Sequence, residues 1–173
     1  MEESDWSSDV CSSDLGSALG CTKVTDAAGL PAAVVTAFSY GDVAIVEEFI
    51  EGIEVAVTVL DLGDGPEALP AVQIQPRSGV YDYTARYTAG ETRFVAPAEL
   101  PDDVTEACAA MALTAHRVLA LRDLSRTDLI VRDGVPVFLE VNVAPGMTET
   151  SLLPLAIEAA DGSFSDVCAD RKS

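Results

Sequence analysis

The chain has 173 residues, 49% of them hydrophobic, enough for one ordinary domain or a compact pair of lobes with a sizeable core. Lys and Arg number 10 against 29 Asp and Glu, a formal charge of -19 that repels polyanions and argues against nucleic acid as a partner. A small phosphorylated ligand stays compatible, because a few local cations with a divalent metal reverse the sign inside one cleft.

Residues 1–15 stand apart: Ser7-Ser8-Asp9 recurs as Ser12-Ser13-Asp14 in a stretch with no apolar period, so no element is assigned there. The stretch reads as a foreign or misassembled junction, with a native disordered tail as the alternative. Its acidic start lacks the features of a signal peptide, and no apolar run approaches a membrane helix. The four cysteines Cys11, Cys21, Cys108 and Cys168 form no Cys-x-x-Cys pair, which argues against zinc and for a reduced, soluble, cytoplasmic chain.

Domain-like sequence begins at Gly16. Gly16-Ser17-Ala18-Leu19-Gly20 is a small-residue loop, and residues 21–24 continue as a strand. Thr25 or Asp26 can cap a helix running to about Ser39, with Pro31 near its start and Gly41 just past its end. Residues 43–47 read as a short buried strand, 52–61 as an alternating strand, and 68–75 as its partner across Gly63-Asp64-Gly65. Residues 78–91 carry neither apolar period and form a long loop. Residues 101–121 place Val104, Cys108, Met111, Leu113, Ala115, Val118 and Leu119 at mostly helical spacing behind Asp102 and Asp103. Residues 124–132 and 135–142 are strands around Asp133-Gly134, and 151–160 a last helix. The predicted fold class is α+β.

Chemistry concentrates where Arg126 and Asp128 share one face of a strand, and Glu140 and Asn142 one face of the next. Glu140, between Leu139 and Val141, needs a partner or a metal if buried. Asp128, Glu140 and Asn142 are oxygen donors suited to Mg²⁺, while an Arg126–Glu140 ion pair between neighbouring strands accounts for the same residues equally well. Parity adds a condition. A two-residue Asp133-Gly134 loop sets Asp128 opposite Leu139 and turns Asp128 and Glu140 to opposite faces. A three-residue loop pairs Arg132 with Pro136 and sets Asp128 opposite Glu140. A shared metal therefore requires the odd-length loop or an equivalent bulge.

The run Glu140-Val141-Asn142-Val143-Ala144-Pro145-Gly146-Met147-Thr148-Glu149-Thr150-Ser151-Leu152-Leu153-Pro154 closely resembles the signature of D-alanine–D-alanine ligases, members of the ATP-grasp superfamily. Further motifs follow the family's order: the Gly loop at 16–20, Glu47-Glu48-Phe49-Ile50-Glu51-Gly52-Ile53-Glu54, Tyr81-Asp82-Tyr83 to Tyr87, and Arg126-Thr127-Asp128. The resemblance covers residue 16 to about 160. It implies an ATP-grasp fold of antiparallel sheets with flanking helices, with 16–50 as a small ATP-binding lobe, 51–165 as a larger metal and substrate lobe, and 16–173 as a partial catalytic domain.

The resemblance also implies ligation of two D-alanines for peptidoglycan precursors: ATP phosphorylates the first carboxylate, and the second amine attacks the acyl phosphate. Glu47 would meet the adenine amino group, the backbone of Glu48 and Ile50 the ring edge, and Glu54 the ribose hydroxyls. Glu51 reads as solvated rim. Two Mg²⁺ ions, with Mn²⁺ as an alternative, would sit on Asp128, Glu140 and Asn142, while Arg126 stabilises charge on the transferring phosphoryl group. Ser151 and the Leu152 backbone would take the second substrate's carboxylate, with Gly146 in the same oxyanion region; a plain N-cap is the bland role of Ser151. Ser17 and Tyr87 would orient an upstream acid, and Tyr87 resembles the type that accepts an amine. Arg86 stands where the family usually has lysine. His116, the single histidine, reads as structural or surface. The family's upstream domain and a lysine before the Gly loop have no counterpart here, so this chain is expected to be deficient in turnover, and homodimerisation is expected only of the full-length protein. A non-catalytic nucleotide-binding fragment and a ligase for D-lactate or D-serine are the competing readings.

Overall fold

The computed structural model describes residues 8–12, 20–76, 90–148 and 151–170. The chain divides into two compact units, residues 1–50 with 76–92 and residues 51–75 with 93–173. Among the described residues no helix is long and apolar enough to cross a membrane.

In the first unit, strands β1 (Ser8–Ser12), β2 (Thr22–Val24) and β3 (Ala44–Glu48) form an antiparallel sheet in the order β2-β1-β3. The sequence reading leaves residues 8–12 without an element, and the structure corrects it: Asp9 pairs with Lys23 and Glu47, and Val10 with Thr22 and Val46. A strand between two others is specified by backbone N–H and C=O groups on both sides, a signal that apolar periodicity does not carry. Helix α1 (Leu30–Phe38) starts later than expected. The Asp26 carboxylate accepts the Gly29 N–H at 2.9 Å, which makes a turn ahead of the helix, and Pro31 occupies the first helical turn where a missing N–H costs nothing. Ala33 and Ala37 of α1 pack on Val24, flanked by Leu30, Val34 and Ala44. Strand β3 is not the buried strand expected: this cluster reaches it at Ala44, and Ile45 and Val46 beyond are 39% and 49% exposed on the sheet's edge.

The second unit rests on a six-stranded sheet, ordered β7-β6-β4-β8-β9 with β5 beside β4. Its strands are β4 (Ile53–Leu60), β5 (Glu67–Ala68), β6 (Val72–Pro76), β7 (Thr92–Val95), β8 (Leu124–Arg132) and β9 (Val135–Asn142). The expected single partner of β4 is split into β5 and β6. Ala68 pairs with Val59 and Ile74 with Glu54, the register slipping across a break that holds Pro70, which has no N–H to donate.

Helix α2 (Asp102–Val118) buries Val104, Cys108, Ala112 and His116, one stripe at helical spacing. Asp102 and Asp103 in its first turn and Arg117 in its last complement the helix dipole. The stripe packs on Val55, Val57 and Val59 of β4 and on Leu129 and Val131 of β8. Helix α3 (Leu152–Ala159) sets Leu153 and Ile157 against Leu60 and Leu124, and Phe164 and Val167 of α4 (Phe164–Asp170) join that cluster. Strand β7 and helix α4, which carry no sequence assignment, are short; β7 pairs with β6, and α4 packs into the cluster of Leu60, Leu124, Leu153 and Ile157.

Leu129 is 1% exposed and Val118 77% exposed. Leu129→Ala is expected to cost about 2–5 kcal/mol and Val118→Ala within about 0.5 kcal/mol, read from urea denaturation. Burial pushes the Cys108 thiol above its ordinary pKa, so less thiolate forms at a given pH. At mildly alkaline pH Cys108 is expected to react with a thiol reagent only on unfolding and the exposed Cys168 in the native state, as peptide mapping would show.

Candidate active site

Strands β8 and β9 join through Asp133 and Gly134 at φ 53° and 79°, the left-handed pair of a type I′ turn, and Arg132 pairs with Val135. The odd-length loop favoured by the sequence reading is therefore absent; the alternative bulge occurs instead. Pairing runs regularly from the turn to Leu129 opposite Phe138, then slips, leaving Leu139 unpaired and Asp128 opposite Glu140, with Arg126 opposite Asn142. Pro136 is accommodated because β9 is the edge strand.

Residues directly opposite in an antiparallel pair share a face, so the bulge brings Arg126, Asp128, Glu140 and Asn142 onto one face of the sheet. Register with β4 extends that face: Glu54, Ala56 and Thr58 stand opposite Ile130, Asp128 and Arg126. The alternate residues of β8 turn to α2, where His116 Nδ1 lies 2.9 Å from Ser125 Oγ. His116 is 2% exposed, which settles it as a core residue.

The Arg126 guanidinium grips Asp128 on its own strand, Nε donating to Oδ1 at 2.7 Å and Nη2 to Oδ2 at 2.8 Å. The two side chains are 11% and 13% exposed, so water screens this pair weakly. Asn142 Oδ1 accepts the Ala144 N–H at 3.0 Å, which sets the amide orientation and leaves the oxygen a second lone pair. Among the described residues no group of three or more His, Cys, Asp and Glu gathers for a metal. The set here is two carboxylates and an amide oxygen on adjacent strands, a hard donor set that fits Mg²⁺ when waters or phosphate oxygens complete the shell.

Beyond β9, Ser151 stands at the N-cap of α3 without capping it through its side chain. Its hydroxyl faces back to the loop, accepting the Thr148 N–H at 3.1 Å and sharing a hydrogen bond with Thr148 Oγ1 at 2.8 Å. Gly146 closes against the same hydroxyl: a Cβ there would lie 2.7 Å from Ser151 Oγ. The Leu152 side chain is buried at the head of α3, leaving its backbone as the functional candidate. Nothing in the sequence singles out Thr148, because its hydrogen bonds to Ser151 are set by the geometry of the loop.

Of the remaining candidates, Glu47 and Glu48 are exposed at the end of β3 and Ile50 is half-buried just after it. Lys23 Nζ sits 3.5 Å from the centroid of the neighbouring Phe49 ring. Glu54 opens β4. Ser17, Arg86 and Tyr87 lie outside the described residues.

A family model described as "D-ala D-ala ligase C-terminus" matches residues 7–170. The D-alanine–D-alanine ligase of Anaeromyxobacter sp. (strain K) is 43% identical over 154 residues, 88% of this chain and 49% of its own length. The VanG D-Ala:D-Ser ligase structure from Enterococcus faecalis superposes with TM-score 0.84 at 31% identity, covering 97% of this chain and 49% of that one. A D-alanine–D-alanine ligase structure from Bacillus anthracis complexed with ATP gives TM-score 0.78 at 25% identity, covering 95% of this chain and 50% of that one. Antiparallel sheets with flanking helices and these likenesses define an ATP-grasp protein. The chain belongs to the D-alanine–D-alanine ligase family, through that family's C-terminal region. It spans about half the length of the curated relatives it matches.

The Gly146–Ser151 contact makes a double-mutant test. Gly146→Ala is expected to destabilise by about 1–3 kcal/mol through overpacking, and Gly146→Ala/Ser151→Ala to recover most of that loss, as urea denaturation of the four variants in the cycle would show.

Proposed function

We propose that this chain supplies the nucleotide, metal and second-substrate portion of an ATP-dependent D-alanine–D-alanine ligase, a cytoplasmic enzyme of peptidoglycan precursor synthesis. Family membership supports the reaction class, and the observation that carries the reading is the bulge that sets Asp128 opposite Glu140 beside Arg126 and Asn142. The proposed division of labour follows the chain: residues 16–50 as the small ATP-binding lobe and 51–165 as the metal and substrate lobe.

A carboxylate becomes a good electrophile only when converted to an acyl phosphate, so the chain must collect phosphate charge and discharge it in order. Asp128, Glu140 and Asn142 would hold Mg²⁺, which neutralises charge on the phosphate oxygens when bound. Arg126 would stabilise the charge developing on the transferring phosphoryl group and on the tetrahedral intermediate. Glu47, the Glu48 and Ile50 backbone and Glu54 would hold adenine and ribose through acceptors and donors matched to amino and hydroxyl groups. The first N–H groups of α3, from Leu152 on, suit the carboxylate of the second D-alanine, since the Ser151 side chain turns to Thr148 and does not cap them; Ser151 would add its own O–H to that carboxylate when Thr148 Oγ1 is the donor of their shared bond. Gly146 keeps this region close. Ser17, Tyr87 and Arg86 keep the loop roles given by the resemblance. D-alanine is preferred over D-serine as acceptor because the relatives at 40% to 43% identity are named D-alanine–D-alanine ligases.

Calorimetric titration of ATP into this chain tests the reading. Mg²⁺ is expected to strengthen binding, and Glu140→Gln to weaken the metal-dependent affinity by roughly tenfold. Equal affinity with and without Mg²⁺ would remove the metal assignment. ADP release with D-alanine is expected to stay near background for this chain alone, because incomplete substrate positioning forfeits much of the proximity advantage. Family-like turnover would contradict that expectation.

A further inference from the structure

Arg126 and a metal compete for the same carboxylate. The guanidinium occupies both Asp128 oxygens in a planar fork, at 2.7 and 2.8 Å, in a spot where neither side chain exceeds 13% exposure. We propose that Arg126 is a placeholder cation on Asp128: it stays forked while no divalent ion is bound, and metal binding releases it from Asp128 toward the phosphates. The inference rests on the metal reading above and adds an order of events to it.

Register explains why exchange is favoured over coexistence. Asp128 has Ala56 and Glu140 as its cross-strand neighbours, so its row carries two carboxylates; Arg126 has Thr58 and Asn142, both neutral. A cation on the carboxylate row therefore meets concentrated negative charge; Glu140 is exposed and keeps water on its side, so a divalent ion there repels the guanidinium most strongly across the little-exposed Asp128. The strand holds both residues on one face, so they cannot part by backbone motion. Arg126 parts from Asp128 by rotating its long stem, which keeps the released head at the site. Asp128 is thus a positioning residue for Arg126 as well as a candidate ligand.

The experiment measures Mn²⁺ binding to the whole chain without nucleotide, by electron paramagnetic resonance. Arg126→Met is expected to tighten Mn²⁺ binding by roughly tenfold, having removed the competing cation, while weakening ATP binding in the presence of Mg²⁺. Arg126→Lys retains a charge and is expected to leave Mn²⁺ affinity close to wild type. Mn²⁺ affinity unchanged or weakened in Arg126→Met would overturn the exchange. Should Arg126→Met fail to fold, the wild-type Arg126 Nε–H resonance decides: it is expected to shift when Mg²⁺ saturates the chain, and an unmoved resonance at saturation overturns the proposal. The two levels separate cleanly. Wild-type chain that binds no metal, with or without ATP, refutes the metal reading itself; normal Mg²⁺-dependent ATP binding without the Arg126→Met gain refutes the exchange alone.

Discussion

Side chains alternate strictly along a strand, and a tight turn carries that alternation into its partner without slack. With the type I′ turn at Asp133 and Gly134, regular pairing to the end of β9 would put Glu140 on the side covered by α2. Leu139 absorbs one residue as a bulge and reverses the parity of everything beyond it. The turn end of the hairpin thus follows the packing of the core, with Val131 and Leu129 under α2, while the far end sets Asp128, Glu140, Arg126 and Asn142 together on the opposite face. The bulge is affordable on β9 because an edge strand has only one ladder to disturb.

Strand β8 is consequently shared between two layers with opposite demands. Arg126 and Asp128 need a polar face, and Ser125, Thr127, Leu129 and Val131 need a covered one. The covered face is not wholly apolar: His116 meets Ser125, and among the described residues His116 Nε2 and Thr127 Oγ1 are buried with no hydrogen-bond partner. Each such group costs about 1–3 kcal/mol.

Electrostatics works at two scales. The formal charge of -19 governs the surface and disfavours polyanions. On one face of β4, β8 and the edge strand β9, three carboxylates, Glu54, Asp128 and Glu140, lie with Arg126. An anionic nucleotide suits such a face only when cations accompany it, which makes the arrangement of Arg126 on Asp128 more informative than the overall charge.

Residue chemistry along the chain already indicated the long helix, the hairpin around Asp133-Gly134, the pairing of Arg126 with Asp128 and of Glu140 with Asn142 on one face of each strand, and the family motifs from Glu140 to Pro154, because helical spacing, strand alternation, turn residues and motif order are local properties. It also stated the parity condition, though not how it would be met. Tertiary structure chose the bulge at Leu139 over a longer loop, since that choice depends on hydrogen bonds between strands and on what α2 covers. It likewise decided the central place of β1, the break at Pro70, the exposure of β3 and the turning of Ser151 toward Thr148. In each case the deciding partner is remote in sequence or set by loop geometry, so no pattern within the segment itself could carry the information.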